Sequence, residues 1–214
     1  MTIVHADTLP RTLRLFPLAG ALLLPHGNLP LHIFEPRYTA MFQDAESDDG
    51  LIGMVQPMDD GPNPKIFRVG CVGRIANETE APDGRRFVTL NGVCRFDIVE
   101  ELPLDGAGYR RASVRFDRFA DDLEEEDPAA LDAPDLLASL RTYFRSHAYS
   151  TDWDGLEKLP APVVVNLLSM MCPFAPREKQ ALLEAPSLRE RASILNALLD
   201  LDAKSGGKSA GTLQ

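Results

Sequence analysis

Residues 13–38, LRLFPLAGALLLPHGNLPLHIFEPRY, are the most apolar run of the chain, and prolines stand at positions 17, 25, 30 and 36 within it. A continuous helix cannot pass through those prolines, because each lacks an N–H and its ring collides with the preceding turn. Short buried strands joined by tight turns fit the same residues. The spacing predicts strands over 13–18 and 29–34, with Pro25 and the Gly27–Asn28 pair supplying turn chemistry between them. Pro36 suits the first turn of a helix. Tyr38, Met41, Phe42 and Ala45 follow at helical spacing, which predicts a helix over 36–47 that packs on the strands.

Arg11 and Arg14 ahead of this run give it a superficial likeness to a secretion signal. The early Pro17 and the lack of a small-x-small cleavage site argue against that. The run is also shorter than the roughly 20 apolar residues that span a bilayer. It reads as core strands of a cytoplasmic protein with no membrane partner.

Downstream, the strand pattern continues. LIGMVQP (51–57) reads as a buried strand and DDGPNP (59–64) as a loop. Residues 66–80 read as a strand in which Gly70 and Gly73 mark a bulge or a close backbone approach. Pro82–Asp83–Gly84 signals a hairpin. In the return strand Phe87, Thr89 and Asn91 fall on one side, and Val88, Leu90 and Gly92 on the other. CRFDIVEE (94–101) and Tyr109 to Phe116 read as further strands. Composition then shifts: eight acidic residues lie between Arg118 and Arg141 without a basic one. They read as a solvated linker leading into an acidic helix start.

Helical periodicity dominates after that point. Leu136, Leu137, Leu140, Tyr143, Phe144 and His147 share one face over 131–148, and Val163, Val164, Leu167, Leu168 and Met171 form a second apolar stripe. Residues 177–185 read as a short helix. Ser187 and Glu190 form a capping box for a helix from Leu188 to about Leu201. The expected organisation is an N-terminal lead (1–12), a β subdomain (13–118), an acidic linker (119–130), a helical subdomain (131–202) and a disordered tail (203–214). Strands followed by helices give an α+β class, with one short helix inside a small curled sheet or barrel and a helical bundle after it.

The 214 residues carry a net charge of −10, opposite to the basic face that displaces counterions from a duplex, so nucleic acid is an unlikely partner. Three cysteines, Cys71, Cys94 and Cys172, form no CxxC pair and read as buried thiols rather than a disulfide or zinc framework. The patterns GxxxxGK[ST], GxGxxG and HExxH are absent. His5, His26, His32 and His147 show no metal-ligand spacing on a helix. None of the five lysines sits in an apolar setting that would neutralise it for a Ser–Lys dyad. No catalytic group, metal or cofactor is expected. Trp153 reads as a packing anchor between helices.

Three segments taken in order, residues 13–38, LIGMVQP and FRVGCVGRIANETEAPDGRRFVTLNGVCRFDIVEE, resemble the N-terminal substrate-binding domain of Lon-type ATP-dependent proteases. EKQALLEAPSLRERASILNALL (178–199) is similar to that family's closing helices, and FEPRY looks most like its stand-alone bacterial members. The resemblance spans about 13–202. Full-length Lon proteases continue into an AAA+ ATPase and a Ser–Lys protease, whose motifs are missing here.

The resemblance implies a PUA-like pseudo-β-barrel followed by a helical bundle. It also implies a non-catalytic module that holds unfolded or partly folded protein segments, in protein quality control, with a protease or chaperone as a further partner. Its candidate peptide-contact residues are His26, His32, Phe34 and Tyr38. A second reading is a small-molecule or RNA-binding regulator that uses the barrel and the basic residues Arg85, Arg86, Arg95, Arg110 and Arg111.

Overall fold

In the computed structural model, residues 6–61, 63–80, 85–104, 106–124 and 134–205 are described. The chain divides into two compact units, Met1–Glu125 and Glu126–Gln214.

The first unit contains strands β1 (Thr12–Pro17), β2 (Asn28–Ile33), β3 (Leu51–Val55), β4 (Val69–Glu80), β5 (Arg86–Glu101) and β6 (Arg110–Arg115), with helix α1 (Pro36–Glu46) between β2 and β3. They form one sheet in the order β2-β5-β4-β3-β1-β6, and β5 pairs again with β6. That extra pairing closes β5, β4, β3, β1 and β6 into a ring and leaves β2 outside it. One strand serves both arrangements because β5 is long. Its residues 86–91 pair with β2, and its residues 97–101 pair with β6. The β-rich half expected from sequence is therefore a pseudo-barrel with one flanking strand. The segment 94–101, read as a separate strand, is the second half of β5.

Alternation fills the barrel. Leu13, Leu15, Val72, Leu90, Cys94, Phe96 and Ala112 are buried from different strands, and flanking residues such as Arg14, Thr89, Asn91 and Ser113 are more exposed. α1 covers this core with Tyr38, Met41, Phe42 and Ala45, and Phe16 packs edge-on to Phe42. Two glycines make the packing possible. A Cβ on Gly70 would lie 2.5 Å from the Met54 carbonyl oxygen, and one on Gly92 would fall inside the Leu24 carbonyl. The ladder also shifts register between Val72 and Gly73, so the glycines of β4 mark a bulge as well as a close approach.

Residues 117–123, whose larger part was expected in the acidic linker, instead form a 3-10 helix on β5. Asp122 takes hydrogen bonds from the Arg95 backbone N–H (2.9 Å), Nε (2.8 Å) and Nη2 (2.7 Å). Arg95 and Arg118 also stand over the Phe119 ring. The acidic run thus starts as packed structure, because one of its carboxylates has a buried arginine to satisfy. The hairpin tip at 81–84 and residues 125–133 lie outside the described residues.

The second unit contains α2 (Pro134–Ser146), α3 (Trp153–Glu157), α4 (Ala161–Met171), α5 (Pro176–Glu184) and α6 (Leu188–Ser205). α6 is central and packs against α2, α4 and α5. Ser187 caps its start as expected: the Glu190 N–H donates to Ser187 Oγ at 3.2 Å, the first half of the expected box, and the Ser187 hydroxyl donates to the Glu190 carboxylate at 3.1 Å. The helix runs on to Ser205, past the predicted end near Leu201, so Ala203 and Lys204 are helical rather than part of a tail. Trp153 packs edge-on to Phe144 and beneath Arg141, tying α3 to α2. The apolar stripe of α4 divides in two: Val164, Val165 and Leu168 are buried, whereas Val163, Leu167 and Met171 are exposed.

Candidate functional site

β2 is the open edge of the sheet. Among the described residues it pairs with β5 alone. The burial of its side chains alternates, with Leu31 and Ile33 inward and Pro30 and His32 outward. Phe34, the residue after the strand, continues the outward series and is 66% exposed. On β5 the outward residue directly across from His32 is Phe87, which is 48% exposed. The two rings are stacked, with centroids 4.8 Å apart and planes 7° from parallel. His32 also meets Phe34 at 5.7 Å. The result is an exposed aromatic patch of His32, Phe34 and Phe87 beside an unpaired strand edge.

The register explains the close stacking. The Gly92 N–H donates to the Gly27 carbonyl at 2.8 Å and the Gly92 carbonyl accepts from the His26 N–H at 3.0 Å, so Gly92 takes the hydrogen-bonded position opposite the two residues His26 and Gly27, as in a bulge. Asn28 is opposite Asn91 and the ladder has no shift from there to Ile33 and Arg86. Hydrogen-bonded pairs therefore fall at Leu29/Leu90, Leu31/Val88 and Ile33/Arg86, and non-hydrogen-bonded pairs at Asn28/Asn91, Pro30/Thr89 and His32/Phe87. Side chains of non-hydrogen-bonded pairs approach more closely. Pro30 occupies one of these positions, where its missing N–H costs the sheet no bond.

The inner face is anchored by charge. The Arg86 side chain, 10% exposed, bonds Glu46 of α1 at 2.7 Å and pairs with Glu78 of β4. This pins the start of β5, and with it the adjacent Phe87, to both neighbouring elements. Phe87 is therefore carried on a braced strand, with His32 stacked on it from β2 and Phe34 just beyond the end of β2.

Of the sequence-predicted contact residues, the structure brings His32 and Phe34 together and separates the other two. His26 sits in a turn at φ 61°, with its N–H bonded to the Gly92 carbonyl at 3.0 Å. Its position reflects the tolerance of histidine for the left-handed region. Tyr38 is a core residue, packed on Phe16 at 4.4 Å with Arg37 over its ring, and burial pushes its hydroxyl pKa up. Phe87 was not among the predicted contacts. The alternation had already put it on the outer side of its strand, but only the cross-strand register reveals its partner.

The five arginines of the basic cluster are engaged. Arg86 lies between two glutamates, Arg95 is held by Asp122, and Arg110 pairs with Glu101. Arg85 and Arg111 also have partners. Among the described residues no group of His, Cys, Asp and Glu has the geometry to hold a metal ion. The three thiols are buried, and desolvation raises the pKa of each, to about 12 for Cys94 and Cys172. No helix among the described residues is long and apolar enough to cross a membrane.

Residues 12–200 match the family model described as the ATP-dependent protease La (LON) substrate-binding domain. The chain is 27% identical to a Lon protease of Flavobacterium johnsoniae over 197 residues, covering 88% of this chain and 24% of that protein. It is 25% identical to Lon protease 2 of Myxococcus xanthus, covering 92% of this chain and again 24% of the relative. The chain thus spans about a quarter of the length of these curated relatives. Among solved structures, a Lon N-terminal domain protein from Xanthomonas campestris aligns with a TM-score of 0.61 at 23% identity, covering 87% of this chain and 97% of that one. The N-terminal domain of a Mycobacterium avium complex Lon protease aligns with a TM-score of 0.57 at 16% identity, covering 88% and 97%. At these identities the structural matches bear on the fold.

Proposed function

This chain belongs to the LON substrate-binding domain family, and from that premise we propose that it is a non-catalytic module that captures exposed apolar segments of unfolded or partly folded proteins on the His32–Phe34–Phe87 patch. The observation that carries this reading is the exposure of two phenylalanines that both meet the His32 ring, Phe87 stacked on it and Phe34 tilted against it, at an open sheet edge. Large aromatic side chains left in water at a fixed site cost free energy that a partner's apolar residues recover. Aromatic anchors of this kind dominate protein-recognition energetics. Buried, high-pKa thiols support a binding role over chemistry. Lys179 departs from the sequence reading of the lysines: it is buried, desolvation lowers its pKa, and its Nζ donates to the Met170 carbonyl at 3.0 Å. Free thiols also suit a cytoplasmic setting, where quality control by a protease or chaperone would use such a module. The nucleic-acid reading loses support, because three of the basic residues it needs, Arg86, Arg95 and Arg110, are already paired with carboxylates.

Calorimetric titration with reduced, carboxymethylated α-lactalbumin tests the proposal. The parent chain is expected to bind it. Phe34→Ala and Phe87→Ala should each weaken binding about tenfold, the usual cost of truncating an aromatic anchor of about 1–2 kcal/mol. Both substitutions are on exposed side chains and should change stability by less than about 0.5 kcal/mol. His26→Gly is the control and should leave affinity unchanged. Undiminished binding by the Phe34→Ala, Phe87→Ala double variant would refute the site.

A further inference from the structure

We infer that the occupant of this site binds as an added β-strand along the outer edge of β2, an inference that rests on the aromatic-patch reading and specifies how the patch is used. The register carries it. Because Leu29, Leu31 and Ile33 spend their backbone groups on β5, the N–H and C=O groups of Asn28 and His32 and the C=O of Pro30 point to the opposite side. All three residues are exposed, and among the described residues no strand pairs there. A row of backbone donors and acceptors at strand spacing is complemented by another extended backbone and by little else.

The same geometry places the partner's side chains. In an antiparallel pair, directly opposed residues point to the same face of the sheet. The guest residues that bond to Asn28 and His32 therefore lay their side chains on the outer face, where His32, Phe34 and Phe87 lie. The fitting guest is an extended segment with apolar side chains at every second residue. The residues whose N–H groups face β2 are the ones whose side chains meet the patch.

A second copy of the chain is a poor occupant. Full antiparallel overlap of β2 with its own copy, with Asn28 opposite His32, sets Pro30 against Pro30 and loses both bonds of that pair. Two chains of net charge −10 also repel. A foreign strand keeps both bonds at Asn28 and at His32 and forgoes only the donor at Pro30. A guest with lysines between its apolar residues gains further from the acidic host.

The test uses a synthetic peptide alternating Phe or Val with Thr or Lys, and two N-methylated forms of it. One form is methylated at the Phe and Val positions, the other at the Thr and Lys positions. Strand addition predicts that the unmodified peptide binds and that only one methylated form loses binding, by tenfold or more; antiparallel addition assigns the loss to the Phe/Val form. Amide exchange at Asn28 and His32 should slow on binding, while Leu31, already bonded to β5, should not change. Equal affinity of all three peptides, with Phe87→Ala still weakening them, would overturn strand addition and leave the patch reading standing. Absence of binding by every peptide and by carboxymethylated α-lactalbumin would overturn both. A dimer whose His32 amide is protected without peptide would show that a second copy takes the edge, and would overturn the proposed occupant.

Discussion

At the scale of single residues, the protein separates side chains that hold the fold from those left for a partner, and the separation does not follow residue type. Tyr38 and Phe16 are core, whereas Phe34 and Phe87 are exposed. His26 is a turn residue, whereas His32 is a stacked ring. The cysteines belong wholly to the core. Cys71 and Cys94 are 0% exposed and Cys172 is 6% exposed. Desolvation disfavours their thiolates, so the folded protein holds the thiol protons to higher pH than the unfolded chain does. The sign follows: these groups add stability that is fully present below about pH 9 and is lost as pH rises towards about 12. The expected outcome is that a thiol reagent such as DTNB labels no cysteine of the native protein at pH 8 and labels all three in denaturant. Denaturant titrations should also show stability falling between pH 9 and pH 11. Rapid labelling of any native thiol would contradict the packing described.

At the scale of elements, the most informative contact is the 3-10 helix Asp117–Leu123 on β5. The Arg95 and Asp122 side chains are 8% and 9% exposed, and three hydrogen bonds join the two residues. Removing one partner of so buried a pair strands the other charge. Asp122→Ala is expected to destabilise the first unit by about 3–5 kcal/mol in urea unfolding. A loss below about 1 kcal/mol would mean the helix does not depend on this pair.

This element was also the least legible in the sequence. DDLEEED reads as solvated charge, because nothing local indicates that one carboxylate meets an arginine 27 residues away. Elements whose cause is local were read well. Pro36 opens α1, the Ser187 cap opens α6, and the alternation of Phe87 to Gly92 gives the correct faces. The α4 stripe was also misjudged. Periodicity reports which residues share a helix face, and among the described residues Val164 and Leu168 of that stripe are buried while Val163 and Leu167 are exposed.

At the scale of the whole molecule, the fold class was written in the order of strands and helices, and the family in three short segments. The site was only half written. His32 and Phe34 lie two residues apart, at the end of β2 and just beyond it, so alternation alone can pair them. Phe87 is distant in sequence and joins them only through the β2–β5 register. Among the exposed apolar side chains of the described residues are the aromatic patch of the first unit and the Val163–Leu167–Met171 face of α4 in the second. The central claim is that the first receives the polypeptide. Amide chemical-shift mapping of the ¹⁵N-labelled chain titrated with carboxymethylated α-lactalbumin tests it most directly. The account predicts shifts concentrated at residues 28–34 and 86–89, with α4 unmoved. Shifts confined to residues 161–171, or to any surface away from β2 and the start of β5, would contradict it.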